Sequence, residues 1–323
     1  MSHSQFLSIC TADAMRDAAV ALVAGNLVAF PTETVYGLGA DACNADAVAR
    51  IYSVKGRPSD HPLIVHVSSM QRMGDWADII PEYAIKLGRD FWPGPMTLVL
   101  KRSSLAQDFI TGGQETVGVR VPDHVVALAL LEAFEIIGGK GVAAPSANRF
   151  GQVSPTTAVA VAEELGEYLD SADQIIDGGA CAVGVESTII DCTGDAPRIL
   201  RPGAITIEMI EASTGINCLG ATDKLIRVSG SLENHYAPAA KVLLDRQPIM
   251  GQGLIALANI PTPTGVFRLA SPADVAEFAQ LLYEALRKAD ALALTEVIVV
   301  QPIGDGIAIA IRDRLARAAK EHF

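Results

Sequence analysis

The sequence predicts an α/β protein in two parts, the larger built on a mixed, twisted β-sheet with flanking helices. Three observations support this prediction. The 323 residues are enough for about two domains of ordinary size, and half of them are hydrophobic. Short strand patterns and helical patterns mix without strict alternation, which favours a mixed sheet over a regular doubly wound one. The periodicity weakens after residue 205 and resumes at residue 241.

The first part begins with a predicted helix over 12–24, for which Thr11 provides an N-cap hydroxyl. A short apolar strand follows and ends at Pro31, and Asp123 is the expected cap of a helix through Phe134. Apolar residues at helical spacing predict further helices at 46–53, 82–91, 156–165 and 205–215. Short apolar runs predict strands at 27–30, 63–67, 96–101, 116–121, 141–144, 174–177, 187–192 and 198–201.

The least regular segment of the chain is 218–240, which is rich in glycine, serine, asparagine and proline. Loops longer than ~15 residues are usually functional or disordered. After this segment the sequence predicts strands at 241–244, 253–257 and 297–300 and helices at 272–288 and 306–320. We therefore expect a first domain over 12–205, a linker or lid over 206–240 and a small α/β domain over 241–323.

The charge and the apolar runs of the chain exclude several classes of protein. A net charge of −12 argues against an extended nucleic-acid interface, which needs a basic face, although one basic pocket remains compatible with it. No apolar run reaches the ~18–20 residues that a membrane helix needs. The N-terminus has neither the basic start nor the apolar core of a signal peptide, so we expect a cytoplasmic protein.

The cysteines point to neither a disulfide framework nor a structural zinc site. Their number, five, is odd, and the sequence has no C-x-x-C pair. We expect reduced, mostly buried thiols.

The first candidate site segment runs from Phe30 to Gly39. If it is extended, Thr32 and Thr34 project to one side and Glu33 to the other. The glycines that follow allow the backbone to turn or to approach a ligand closely. The alternative is a polar turn with capping threonines.

A second candidate is the basic segment Lys55-Gly-Arg-Pro58. Proline disfavours helical backbone at Arg57, so the two cations are expected to share one face. Neighbouring cations repel, and a polyanion such as a triphosphate would bind them, Arg57 in bidentate fashion and Lys55 as a point charge. The alternative is a solvated basic turn.

Further polar residues stand at predicted strand ends, where α/β proteins bind their ligands. Ser146 and Asn148 follow the strand over 141–144, and Ser187 begins the strand over 187–192. Arg120, Arg201 and His66 each lie at or next to the last residue of a predicted strand. A single strand-end arginine is usually part of a surface ion pair, and the sequence alone does not show that these cations converge.

Several familiar signatures are absent from the sequence. It has no G-x-x-x-x-G-K-[ST], no G-x-G-x-x-G after a strand, no H-E-x-x-H and no G-x-S-x-G. The sequence also shows no obvious nucleophile with its base.

Taken together, the segments resemble a known family. They occur in the order Pro31-Thr-Glu-Thr-Val-Tyr-Gly-Leu, Lys55-Gly-Arg-Pro with Pro62-Leu, Pro145-Ser-Ala-Asn and Glu186-Ser-Thr. Over about 12–205 they resemble the YrdC-like domain of threonylcarbamoyl-AMP synthases. His235-Tyr-Ala-Pro238 and the trailing β/α unit resemble the long, two-domain form, so the resemblance spans nearly the whole chain.

The resemblance implies a fold and a reaction. The fold is a YrdC-like sheet with a concave active-site face, followed by a small Rossmann-like domain. The enzyme is a nucleotidyltransferase that converts L-threonine, bicarbonate and ATP into L-threonylcarbamoyl-adenylate, pyrophosphate and water, with Mg²⁺ on ATP and no organic cofactor. A downstream threonylcarbamoyl transferase complex uses the product to make threonylcarbamoyladenosine in tRNA. The enzyme itself would bind tRNA only indirectly or weakly, and it would bind no membrane.

The resemblance also implies residue roles by matching positions. Lys55 and Arg57 match the phosphate-binding, catalytic pair. The implied threonine contacts are Thr34, His66, Arg120, Ala144 and Ser187. The implied ATP contacts are Arg57, His61, Thr116, Ser146, Asn148, Ser154, Arg201 and Tyr236. His61 departs from the family pattern, which commonly has asparagine before Pro-Leu.

Two alternatives from other classes remain open. One is an RNA-binding module of YrdC type, which a filter-binding assay without ATP would reveal. The other is a carbamoyl-phosphate-dependent transferase that uses a related domain. That class carries zinc-finger segments, and this chain has no C-x-x-C.

Overall fold

The computed structural model describes residues 7–9, 11–220, 226–228 and 237–320 of the chain. Within them a large mixed sheet organises the first part. Its strands, β1 to β11 in chain order, are Leu7–Ile9, Val28–Phe30, Gly37–Asp41, Ile64–His66, Ala77–Ile79, Met96–Arg102, Thr116–Arg120, Val142–Ala143, Gln174–Asp177, Thr188–Asp191 and Arg198–Arg201. Their order in space is β1-β9-β2-β3-β8-β4-β7-β6-β10-β11, with β5 paired to β6. The sheet contains parallel pairs such as β4 with β7 and antiparallel pairs such as β6 with β7, so the predicted mixed sheet is confirmed.

Helices flank this sheet. In chain order, α1 to α8 are Ala12–Val23, Ala45–Lys55, Met73–Trp76, Glu82–Phe91, Asp108–Thr111, Val125–Ile136, Ala158–Leu165 and Ile207–Thr214, and a 3₁₀ turn covers Met70–Arg72. The Thr11 hydroxyl accepts the Ala14 N–H, as the sequence predicted for the start of α1. Helix α2 runs on to Lys55 because Gly56 adopts the left-handed conformation that ends helices, with φ of 62°.

The structure corrects several predicted boundaries. His124, not Asp123, caps α6, because its Nδ1 accepts the Val126 N–H while the Asp123 N–H donates to Glu33. Thr157 caps α7, which begins at Ala158 rather than Thr156. The sequence analysis also missed β1, β3, β5, α3 and α5, which are three to five residues long and too short to show a periodicity.

Strand β3 changes the interpretation of the glycines after Thr34. Gly39 lies inside the sheet, not in a turn at a ligand. A Cβ atom there would stand 2.7 Å from Val142 Cγ1 and 2.8 Å from Phe30 Cε1. Glycine is therefore required for close packing between neighbouring strands.

A second, smaller sheet organises the C-terminal part of the described chain. Strands β12 to β15 are Lys241–Leu244, Gly253–Ile255, Phe267–Ala270 and Glu296–Val299, and helices α9 and α10 are Val275–Ala291 and Ile307–Ala318. All its strand pairs are parallel, in the order β12-β15-β13-β14. This arrangement confirms the expected Rossmann-like unit, although the sequence analysis missed β14. No helix in the described residues is both long and apolar enough to span a membrane.

The two parts share a hydrophobic core. Val35, Val153 and Val185 of the first part belong to the same buried cluster as the apolar residues of α9 and α10. Helix α9 also lies directly against Gly184, where a Cβ atom would stand 2.4 Å from Gln280 Cα. The C-terminal part is therefore packed against the segment that leads to Glu186 and Ser187.

Candidate active site

A cavity of about 520 Å³, partly open to solvent, lies where several strands and loops of the first part meet. Thr32, Thr34, Val35 and Gly37 come from the connection between β2 and β3. The remaining lining residues are Arg57, Ile64, His66, Arg120, Ala144, Pro145, Ser146, Glu186, Ser187 and Arg201. The predicted site residues among them are Thr34, Arg57, His66, Arg120, Ala144, Ser146, Ser187 and Arg201.

Sheet register brings these distant residues together. The parallel pairing of β4 with β7 places His66 beside Arg120. An isolated bridge pairs Gly37 with Ser146 and so joins the threonine-containing segment to the loop after β8.

Arg120 is held by a buried ion pair with Glu33. Arg120 Nη2 lies 2.7 Å from Glu33 Oε1, and the two side chains are 5% and 7% exposed. Glu33 Oε2 also accepts the Asp123 N–H at 3.0 Å. The hydroxyls of Thr32 and Thr34 lie 2.8 Å apart and both residues line the cavity. The segment is bent rather than extended, and the Thr32 hydroxyl accepts the N–H groups of Thr34 and Val35 at 3.2 and 3.3 Å, so it forms the turn with a capping threonine that the sequence left open as the alternative.

His66 is a neutral imidazole at the cavity wall. Burial, reinforced by the charge of Arg120, lowers the pKa of His66 to about 3. Its Nδ1 has no hydrogen-bond partner among the described residues. At neutral pH the ring can therefore accept a hydrogen bond from a ligand in the cavity without becoming charged.

Ser187 is fixed by two neighbours. Arg201 donates from Nε and Nη2 to the Ser187 carbonyl at 3.1 and 2.9 Å, and from Nη2 to its hydroxyl at 3.1 Å. The Thr97 hydroxyl lies 2.8 Å from the Ser187 hydroxyl. These contacts set the position of the Ser187 side chain at the cavity.

Lys55 and Arg57 do not share a face, contrary to the sequence prediction. Arg57 lines the cavity, where its Nη2 donates to the Pro62 carbonyl at 3.0 Å. Lys55 Nζ instead donates to the carbonyls of Ser146 and Asn148, and the residue is not among those that line the cavity. Gly56 between them adopts the left-handed conformation that ends α2, so Lys55 lies on the helix and Arg57 lies beyond its end. Burial, reinforced by the charge of Arg57, lowers the pKa of Lys55 well below its usual value.

Four other predicted residues lie outside this cavity. Thr116 lines a second cavity of about 290 Å³, together with Gln114 and with Arg227 of the linker. His61 packs edge-on against Phe150, with ring centroids 5.5 Å apart. Asn148 Nδ2 donates to the carbonyls of Arg149 and Gln152, and Ser154 donates its hydroxyl to Glu186. Tyr236 is outside the described residues.

The sequence analysis missed three residues that bear on the site. Thr97 contacts Ser187, as described above. Tyr283 and Arg314, from α9 and α10, both contact Glu186. The sequence did contain a signal for Arg314. It lies at helical spacing from Ile311 and Ala318, on the buried face of α10, where an arginine is rarely found without a partner.

Two family models match the chain. The Sua5/YciO/YrdC family, described as telomere recombination, matches residues 20–203. A model described as the C-terminal domain of threonylcarbamoyl-AMP synthase matches residues 205–320.

Curated relatives and solved structures agree with these matches. The threonylcarbamoyl-AMP synthase of Pyrococcus abyssi is 41% identical, and the match covers 91% of this chain and 91% of its own. The Bacillus subtilis enzyme of the same name is 40% identical, and the match covers 94% of this chain and 92% of its own. The crystal structure of P. abyssi Sua5 complexed with L-threonine superposes with a TM-score of 0.86 at 38% identity, covering 97% of this chain and 96% of that one.

These comparisons confirm the resemblance stated from the sequence and the two-part fold. The first match alone covers more than half of the chain. The relatives are matched over nearly their whole length, and their name denotes an enzyme of the nucleotidyltransferase type. The chain belongs to the threonylcarbamoyl-AMP synthase family, in the form that carries the C-terminal domain.

Proposed function

We propose that this chain synthesises L-threonylcarbamoyl-adenylate from L-threonine, bicarbonate and ATP and releases pyrophosphate. The observation that carries the proposal is the cavity in which Arg57, Arg120 and Arg201 converge with the neutral His66 in a protein of net charge −12. Three arginines suit one carboxylate and a triphosphate. The P. abyssi structure with L-threonine, which has nearly the same fold, supports the amino-acid assignment.

In this proposal the threonine binds at the Arg120 side of the cavity. Arg120 binds its carboxylate, and Glu33 holds the guanidinium in place from behind. The hydroxyls of Thr34 and Ser187 form hydrogen bonds with the polar atoms of the substrate threonine, and the Ala144 backbone contacts it. Neutral His66 accepts a hydrogen bond from the substrate, which a protonated imidazole could not do.

In the same proposal the phosphates of ATP bind at Arg57 and Arg201. The threonine amine adds to the carbon of bicarbonate, and water leaves to give the carbamate. A carbamate oxygen then attacks the α-phosphorus while the bond to the β-phosphate oxygen breaks, and the electron pair leaves with pyrophosphate. The arginines stabilise the negative charge that develops, so positioning and electrostatics suffice without a protein nucleophile.

The rest of the nucleotide site is proposed from matching positions. We assign the other ATP contacts to His61, Thr116, Ser146, Asn148, Ser154 and Tyr236, and phosphate binding to Lys55 together with Arg57. For Lys55 this requires the ammonium to leave the carbonyls of Ser146 and Asn148 when ATP binds. Without such a movement, Lys55 acts by bracing the loop that carries Ser146.

Magnesium enters as the counter-ion of ATP, whose phosphate oxygens are its usual ligands. Among residues 7–9, 11–220, 226–228 and 237–320, no three His, Cys, Asp or Glu side chains are grouped to hold a metal ion. We also propose the domain division 12–205, 206–240 and 241–323, a cytoplasmic location, and transfer of the product to a threonylcarbamoyl transferase complex that modifies tRNA.

The function is tested by incubating the protein with MgATP, labelled bicarbonate and single amino acids. We expect pyrophosphate release and a labelled adenylate only when threonine and bicarbonate are both present. Serine, which lacks the threonine methyl group, and a reaction without amino acid are the controls. Equal turnover with serine, or ADP as the product, contradicts the proposal.

We further propose that 218–240 closes over the site as a lid, with Tyr236 at the nucleotide phosphates. The start of the predicted linker is not part of this lid, because α8 packs into the core of the first part through Ile210. The described linker residues support this placement. The Arg227 N–H donates to Gln114 Oε1 at 2.7 Å, Gln114 Nε2 donates to the Arg227 carbonyl at 3.0 Å, and Arg227 Nη1 lies 2.8 Å from Asp60. Closure would exclude water from a mixed anhydride that hydrolyses readily.

A closing lid predicts slower hydrogen exchange over 218–240 when ATP and threonine are added together. Exchange in α1, which carries no site residue, should stay unchanged and serves as the internal control. Tyr236→Ala should lower turnover and weaken the protection. Unchanged exchange together with wild-type turnover of the variant would leave a passive linker as the explanation.

A further inference from the structure

The carboxylate of Glu186 is a negative group at the wall of a cavity that otherwise gathers arginines. Glu186 lines the cavity and is 6% exposed. Burial by itself raises its pKa, but Arg314 and Arg201 outweigh this effect and the pKa falls to about 2. Glu186 is therefore charged at neutral pH. A charged carboxylate beside bound phosphates would repel them unless another group compensates it.

The compensation comes from the C-terminal part of the chain. Arg314 Nε of α10 lies 2.7 Å from Glu186 Oε2, and the Tyr283 hydroxyl of α9 lies 2.9 Å from the same oxygen. Glu186 Oε1 accepts the Ser154 hydroxyl at 2.7 Å. The carboxylate thus connects α9 and α10 to Ser154, one of the proposed ATP contacts.

The Arg314 side chain is buried between the two parts of the chain. It is 1% exposed and among the largest fully buried side chains of the described residues. Its Nη2 donates to the Pro202 carbonyl at 3.0 Å, directly after Arg201 in the chain. Arg314 therefore contacts both chain segments that bring Ser187 and Arg201 to the cavity.

We propose that Arg314 and Tyr283 are positioning residues of the ATP site: they hold and neutralise Glu186, so that its charge does not repel the phosphates and Ser154 keeps its place. This inference rests on the proposed function. It assigns the C-terminal domain a part in nucleotide binding, because two of its side chains complete the wall of a cavity that lies in the other domain.

A second ion pair across the same interface provides the matched control. Arg287 of α9 pairs with Glu164 of α7 at 2.7 Å and donates to the Val153 carbonyl, without contacting Glu186. If the C-terminal part acts only by packing, loss of either arginine should have the same effect. If the compensation of Glu186 matters, Arg314 should differ from Arg287.

The experiment compares Arg314→Met, Glu186→Gln, the double variant and Arg287→Met in the full chain. The readouts are kcat, the KM values for ATP and threonine, and the ATP dissociation constant from calorimetry. We expect Arg314→Met to raise the KM and Kd for ATP at least about tenfold, because residues that share one charge network are strongly coupled. The threonine KM should change less than about threefold. The double variant should recover most of the ATP affinity, because glutamine removes the unpaired charge. Arg287→Met should bind ATP like the wild type.

Other outcomes overturn the proposal. The proposal is wrong if Arg314→Met and Arg287→Met bind ATP equally well, or if the double variant binds ATP no better than Arg314→Met. The contacts of Glu186 would then serve only the packing of the two domains. If Arg314→Met does not fold, the double variant and Tyr283→Phe test the proposal instead, because neither leaves Glu186 charged without Arg314. Tyr283→Phe should still weaken ATP binding. Absence of threonine-dependent pyrophosphate release by the wild type would contradict the proposed function instead, and the calorimetric comparison would still test the network.

Discussion

Replacing Arg57 by alanine is expected to lower kcat by about 10²–10³-fold while the protein stays folded. This range is typical for the loss of one preorganised group that stabilises charge in a transition state. Arg57 is the cation of the basic segment that lines the cavity, and the guanidinium is already held by the Pro62 carbonyl. It needs little reorganisation when pyrophosphate departs, so its loss should slow the chemical step more than it weakens binding.

The measurement is threonine-dependent pyrophosphate release at saturating ATP, with circular dichroism to verify the fold. Arg102→Ala is the matched control, because Arg102 pairs with Asp108 and Glu115 and does not line the cavity. It should keep wild-type turnover. Lys55 and Arg57 are 2% and 7% exposed, so the solvated turn is already excluded. Near-normal kcat of Arg57→Ala would show that the charge on the departing pyrophosphate is stabilised by other groups.

Replacing Arg120 by alanine is expected to raise the threonine KM by about 30-fold or more with little change in the ATP KM. Truncating one partner of a buried, hydrogen-bonded charge pair costs about 2–5 kcal/mol, and each 1.4 kcal/mol is about tenfold in affinity. Arg120→Lys should rescue poorly, because an ammonium cannot reproduce the two parallel hydrogen bonds of a guanidinium to a carboxylate. Steady-state kinetics with bicarbonate and ATP saturating measure both constants.

The same substitution should also destabilise the fold, since it leaves Glu33 buried without its partner. The expected loss in the free energy of unfolding is about 3–5 kcal/mol, measured by urea denaturation. Adding Glu33→Gln to Arg120→Ala should restore most of the stability but none of the threonine affinity. If stability and affinity recovered together, the role of Arg120 would be purely structural.

The sequence by itself was sufficient for the elements with a clear apolar pattern and for the family. Helix α4 and strands β9, β11 and β12 have the predicted bounds, because a helical or alternating pattern of apolar residues reports which face of an element is buried. The Thr11 cap was predictable for a similar reason: a hydroxyl before an apolar periodic run satisfies the first free N–H groups of a helix. The strand-end positions of Arg120 and Arg201 followed from the same patterns.

Only the tertiary structure decided which of these residues meet. Lys55 and Arg57 are two positions apart, yet Lys55 at the end of α2 contacts loop carbonyls, whereas Arg57, beyond the left-handed Gly56, lines the cavity. Glu186 and Arg314 are 128 positions apart, yet their charges lie 2.7 Å from each other. Local patterns record the burial of a residue but not its partner. The partner depends on strand register and on how the two parts of the chain pack, which are properties of the whole fold.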